Sequence, residues 1–226
     1  MAFLSAVWLV TRKDLLVEVR SREILYTTLF FAVSCVLVFA FSFVREGRAI
    51  EDAAAGILWI AIAFSGTLAL GRAFERERQS ETLRALLIAP IDLPALYLGK
   101  LVGILLLLAV VEAIVVPLVA FMFHAPLFRA PFLMLGLLAT GTIGFAAVGT
   151  LFAAMLVRAR SRDVLLPVLL YPITVPVIIA GVRGTAALLQ TDVDIPMARA
   201  WLSMLAFFDV VFITLSLWTF EPLMTD

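Results

Sequence analysis

One histidine and one cysteine are the whole imidazole and thiol stock of this 226-residue chain. A lone His124 cannot build a zinc centre or a bis-histidine haem site, so no metal site is assigned. A lone Cys35 excludes an intramolecular disulfide, and the redox compartment is not legible from it. Charge is sparse and balanced, 17 basic against 17 acidic residues, which leaves no electrostatic footprint for nucleic acid. No Gly-x-x-x-x-Gly-Lys-Ser/Thr loop occurs. Gly99-Lys100 lacks the upstream glycine and the following hydroxyl, which excludes nucleotide binding of the P-loop kind. There is no Gly-x-Ser-x-Gly elbow and no Ser-His-Asp set. These absences argue against an enzyme: no catalytic residue is assigned, and no cofactor is expected on this chain.

What the chain does have is long apolar runs. Hydrophobic residues make up 64% and the mean hydropathy is +1.12, against an apolar share of ~45–50% in soluble domains. About 20 apolar residues in a row suffice to cross the hydrocarbon core as a helix. The backbone must satisfy its own hydrogen bonds there, so helices are required. The runs predict six spans, at 24–44, 53–71, 101–123, 131–157, 164–182 and 201–220. The first is too long for a signal-peptide core of ~7–15 residues and reads as a retained helix. Between the spans, Lys and Arg alternate in number. Segments 1–23, 72–100 and 158–163 hold four, five and three; the segments between them hold two, one and two. The positive-inside rule then places both termini in the cytoplasm. No internal repeat or low-complexity linker is visible, so residues 1–226 read as one all-α membrane domain.

The polar segments carry the functional hints. Within 1–23, Leu4, Trp8, Thr11, Leu15 and Val19 share a helical face, apart from Arg12, Lys13 and Arg20. That is the pattern of an interfacial amphipathic helix. Segment 72–100 is the second large cytoplasmic piece, and 183–200 reads as the longest outer loop. In the former, Ser80 is suited to cap a short helix that Pro90 ends, and Leu83, Leu86 and Leu87 form its apolar stripe. Asp92 is placed to cap the next helix, with Pro94 in its first turn. A two-turn leucine-bearing helix is not stable alone in water; it needs membrane, bundle or partner.

Inside the spans, Glu112 and Asp209 lie at similar depth. Intramembrane carboxyls mark a site or a hydrogen-bonded contact between helices. Pro167, Pro172 and Pro176 interrupt the fifth span, and Pro172 and Pro176 are the gating candidates. Gly136, Thr140 and Gly144, like Ala61, Ser65 and Ala69, recur every four residues and suit close helix packing.

Taken in order, Gly56-Ile57-Leu58-Trp59, Phe74-Glu75-Arg76-Glu77, Thr82-Leu83, Leu86-Leu87, Pro90, Gly99-Lys100 and Pro172-Ile173-Thr174-Val175-Pro176-Val177 resemble the CcmB family. This is the membrane subunit of the haem-exporter ABC complex of cytochrome c maturation. The resemblance runs over nearly the whole chain. It departs at Glu81, where the loop pattern usually has Gly, and at Ala55, where Pro often stands. It implies an ABC-2-type permease of six transmembrane helices in the bacterial inner membrane, acting as two copies. It implies a separate ATPase subunit, CcmA, which would hold the ATP, and association with CcmC, CcmD and the chaperone CcmE. Haem would be cargo, with no cofactor bound here. The coupling helix that docks on the ATPase would be 80–88, with Leu83, Leu86 and Leu87 as anchors and Glu75, Glu77, Arg78 and Arg84 as a charged rim. Three alternatives compete: an ABC-2 permease for a drug, lipid or glycan, a proton-coupled secondary transporter using Glu112 and Asp209, and an assembly scaffold.

Overall fold

The computed structural model describes residues 3–42, 44–45, 48–49, 53–74, 92–159 and 161–225. Seven α-helices lie among them: α1 Phe3–Ser21, α2 Glu23–Ser42, α3 Ala54–Ala73, α4 Leu93–Met122, α5 Pro131–Met155, α6 Arg162–Leu189 and α7 Ile195–Thr225. Residues Val44–Arg45 and Arg48–Ala49 form a minimal antiparallel pair between α2 and α3. Helices α2 to α7 are long and apolar enough to cross a membrane, and the chain is a multi-pass membrane protein with an all-helical core.

Several helices run past the limits of the apolar runs. α4 begins at Leu93, directly after Asp92 where the cap was expected, and the apolar run from Leu101 is only its inner part. Lys100, which the sequence places in the polar segment 72–100, lies on this helix with its side chain only 3% exposed, against Asp14 and the Ala73 carbonyl. At 1.5 Å per residue, its 30 residues run about 45 Å, well beyond a hydrocarbon core of ~30 Å. Likewise, 183–200 is not a long loop. α6 continues to Leu189 and α7 starts at Ile195, leaving only 190–194 between them. Arg183 and Arg199 sit exposed on these helices. The Asp194 carboxylate accepts from Met197 N–H at 2.9 Å, with Pro196 in the first turn, an ordinary helix start.

α3 and α5 are the most buried helices; α2 and α7 are the most peripheral. α3 contacts α2, α4, α5 and α6, while α5, α6 and α7 pack mutually. Ala61, Ser65 and Ala69 are all buried on α3. On α5, a Cβ at Gly136 would meet Leu202, and one at Gly144 would meet Phe208 and Asp209, so this small-residue row is the seat of α7. Hydroxyls within the spans bond the carbonyl one turn back, as Thr140 does to Gly136 and Thr174 to Leu170. His124 is exposed at φ 51, and Ala125 N–H donates to Ala120 O, closing α4 in a left-handed C-terminal turn.

α1 is helical as its pattern suggests, but its faces divide differently. Leu4, Trp8 and Val19 are exposed. Thr11, expected beside them, is buried with Ala6 and Val10 against α4. Its hydroxyl donates to Gly99 O at 3.0 Å, and a Cβ at Gly99 would stand 2.6 Å from Val10 Cβ. Glycine at that point is what lets the two helices touch.

Candidate functional site

The last turn of α3 leaves carbonyls without helical donors, and such orphans attract cations. Three cations from elsewhere or from the turn itself converge there. Lys100 Nζ of α4 lies 3.1 Å from Ala73 O, 2.9 Å from Asp14 Oδ2 of α1 and 5.1 Å from the Phe74 ring centroid. Arg162, the first residue of α6, is 3% exposed and donates to Leu70 O at 3.0 Å. Arg72 pairs in the open with Glu23 of α2 at 2.8 Å. One helix end thereby ties together α1, α2, α4 and α6.

This hub brackets the polar segment. Residues 75–91 leave from Phe74 and return at Asp92, and Lys100, two turns into α4, grips Ala73. The clamp therefore ties α4 to the end of α3. Glu75, Glu77, Arg78, Leu83, Arg84, Leu86 and Leu87 all lie outside the described residues. Asp92 occupies the expected cap position with Pro94 in the first turn, though its side chain caps nothing.

From the hub, α3 leads inward to Trp59. The indole is 2% exposed and donates from Nε1 to Thr185 Oγ1 of α6 at 3.0 Å. A Cβ at either Gly141 of α5 or Gly181 of α6 would overlap its rings. Only glycine leaves room on both sides. Further contacts join α3 to α6 by Thr67 and Tyr171 at 3.2 Å, and α4 to α5 by Tyr97 O–H to Ala147 O at 3.0 Å.

The intramembrane carboxyls are not brought together. Glu112 of α4 accepts the Thr142 hydroxyl of α5. Asp209 of α7 is 7% exposed and lies against Gly144, with Oδ1 lacking a hydrogen-bond partner among the described residues. Two residues along α5 amount to about 200° of rotation, so the two carboxyls approach that helix from different sides. Pro172 and Pro176 lie on the exposed face of an unbroken α6, beside Val168, Val175 and Ile179. Each proline deprives the carbonyl four residues back of its donor.

Sequence reasoning passed over Asp14, Thr142, Arg162, Thr185, Gly141 and Gly181. The available signals were weak: a basic residue at a span boundary, and isolated glycines opposite a mid-membrane tryptophan.

The fold is that of a six-span membrane protein whose third helix ends in a clamped polar hub. Residues 5–222 match the family described as CcmB protein, and the chain belongs to that family. It is 31% identical over 155 residues to Heme exporter protein B of Paracoccus denitrificans, covering 69% of this chain and 70% of that protein. Heme exporter protein B of Pseudomonas aeruginosa is 27% identical over 182 residues, 80% of this chain and 81% of its own length. The Rhodobacter capsulatus protein of the same name is 30% identical over 173 residues, 75% and 77% of the two chains.

Proposed function

We propose that this chain is the membrane subunit of an ABC-type haem exporter serving c-type cytochrome maturation. It lies in the bacterial inner membrane with both termini in the cytoplasm, where the basic segments fall. It works as two copies with a separate CcmA-like ATPase that holds the ATP, alongside CcmC-, CcmD- and CcmE-like haem-handling proteins. The relatives' shared name supports the cargo. The observation that carries the mechanism is the Lys100 clamp on Ala73 and Asp14, since it ties α4, to which segment 75–91 returns, to the end of α3, from which that segment leaves.

The working cycle follows from that anchorage. ATP closes the partner ATPases, and the docked segment is displaced. The displacement enters α3 at Ala73, and α3 carries it to Trp59. There the indole bears on α6 at Gly181 and Thr185, four residues apart on one face. The prolines of α6 give that helix places to bend. With its single histidine exposed in a loop, the chain leaves haem ligation to other subunits. Its part is to convert ATP energy into haem transfer or release of the loaded chaperone. Replacing Leu83, Leu86 and Leu87 with Asp should abolish co-purification of the ATPase while the chain remains in the membrane. An ATPase that still co-purifies stoichiometrically would remove the docking site from this segment.

A further inference from the structure

Beside the hub, a crevice of about 770 Å³ opens between α1, the start of α2, the end of α3 and the first half of α4. That volume lies within the ~300–1,000 Å³ of small-molecule sites. Its wall is apolar, with Leu25, Ile104, Leu107 and Val110, and its mouth is charged. Along α4 the lining runs from Lys100 to Val110, about 15 Å, or the depth of one leaflet. The shape is that of an amphiphile's seat, polar at the membrane surface and greasy below.

Two side chains lining the crevice offer polar groups to a headgroup. Glu18 uses Oε1 to accept Leu25 N–H at 2.8 Å, in the first turn of α2. Its Oε2 is buried with no hydrogen-bond partner among the described residues. A buried acceptor left bare is costly, and an ammonium would satisfy it. Arg22 holds φ 53 at the joint between α1 and α2, where glycine is the usual residue. Its guanidinium stays exposed at the mouth, reaching Tyr26 Oη at 3.2 Å and Val19 O at 3.4 Å. An arginine kept in a glycine's conformation implies a use for its side chain. Arg72, which pairs with Glu23 at 2.8 Å, also lines the crevice and adds a second guanidinium.

We propose that the crevice binds one phospholipid with an ammonium headgroup, of the phosphatidylethanolamine type. The ammonium donates to Glu18 Oε2, the phosphate sits on Arg22 with Arg72 beside it, and an acyl chain runs along Leu107 and Val110. The lipid locks α1 onto the bundle at the hub. This inference goes beyond the transport role and does not rest on it, for neither cargo nor motor enters the reasoning.

The test uses the full chain in liposomes doped with phosphatidylethanolamine or phosphatidylglycerol bearing a diazirine in one acyl chain. Peptides are mapped by mass spectrometry after illumination. Cross-links from the ethanolamine probe should concentrate on the stretch 103–110 and around Leu25. Arg22→Gly, which relieves the left-handed strain, should lower that yield at least fivefold without lowering the melting temperature. Glu18→Gln should erase the preference for ethanolamine over glycerol. A Cβ at Gly103 meets only Asp14 Cβ, at 3.9 Å, so Gly103→Phe should fill the crevice and block labelling with no change of charge. That variant decides the matter if the charge variants fold poorly. Labelling spread evenly over the exposed faces of α2 and α7, equal yields in all variants, or equal labelling by both probes would overturn the proposal. So would displacement of the probe by equimolar hemin, which would give the crevice to an anionic porphyrin.

Discussion

Trp59 is held in a slot that two glycines create, and this can be tested by filling the slot. Adding a methyl at Gly181 drives Cβ into the indole, whose ring is buried and bonded to Thr185. Overpacking of this kind costs about 1–3 kcal/mol. The same change gains roughly 0.8–1 kcal/mol in helix propensity. The net loss would thus be small and ambiguous by itself. Gly56 and Gly71 supply the control, because a Cβ at either meets nothing within 4 Å. Gly181→Ala should therefore be about 1–3 kcal/mol less stable than Gly56→Ala or Gly71→Ala. Trp59→Phe removes the indole N–H and part of the clashing bicycle, at about 1–2 kcal/mol for the unsatisfied contact and lost volume. Once Trp59 is Phe, Gly181→Ala should become nearly harmless, a coupling of roughly 0.5–3 kcal/mol. Equilibrium unfolding in mixed micelles gives all four corners of that cycle. Strict additivity, within about 0.5 kcal/mol, would mean that the ring is not wedged against Gly181, and the route from α3 to α6 would fail with it.

Other outcomes follow from the same contacts. Asp14→Asn removes the carboxylate charge that faces the buried Lys100 and should cost about 1–3 kcal/mol, below the ~3–5 of a fully buried pair because Asp14 is 24% exposed and Lys100 keeps the Ala73 carbonyl. Adding Lys100→Met should recover much of that loss in the same unfolding assay; a further drop would contradict the clamp. Thr142→Val leaves Glu112 without its donor and should cost about 0.6–1.7 kcal/mol, the range seen for membrane hydrogen bonds. Glu112→Gln should leave most c-type cytochrome formation intact, as measured by haem staining, whereas abolition would favour proton coupling. For the second copy, Val175→Cys on the proline face of α6, in a Cys35→Ala background, should give a disulfide-linked dimer in native membranes. Absence of dimer there, with dimer from Val210→Cys on α7, would move the interface.

The spans were legible because burial in lipid demands unbroken apolar runs, and these need no knowledge of distant residues. The burial of Lys100 on α4 was not legible for the converse reason, although Asp92 and Pro94 marked where that helix starts. Lys100 looks like a boundary until Asp14 and the Ala73 carbonyl are beside it, and nothing local announces either. Between α6 and α7 the local signal existed, in Asp194-Ile195-Pro196. The flanking Arg183 and Arg199 outweighed it, although helices extending past the bilayer can carry exposed arginines. On α1 the apolar stripe was readable but its partner was not. Thr11 joins the buried face only because Gly99 admits it. Trp59 stood out as part of a motif, yet its slot depends on glycines from two other helices. Glu112 and Asp209 were found from charge alone. Their separation by α5 is a matter of helix order around the bundle, which hydropathy does not encode.

The most direct test of ATP-driven work is the formation of haem-loaded c-type cytochromes in a strain that lacks this gene. The strain also lacks the gene of the ATPase partner, and it is complemented with this chain and with either the active ATPase or a hydrolysis-dead one. Loss of haem-loaded cytochrome with the dead partner, while the complex still assembles, is the expected result. Normal cytochrome formation without hydrolysis would contradict it and reduce the chain to a scaffold.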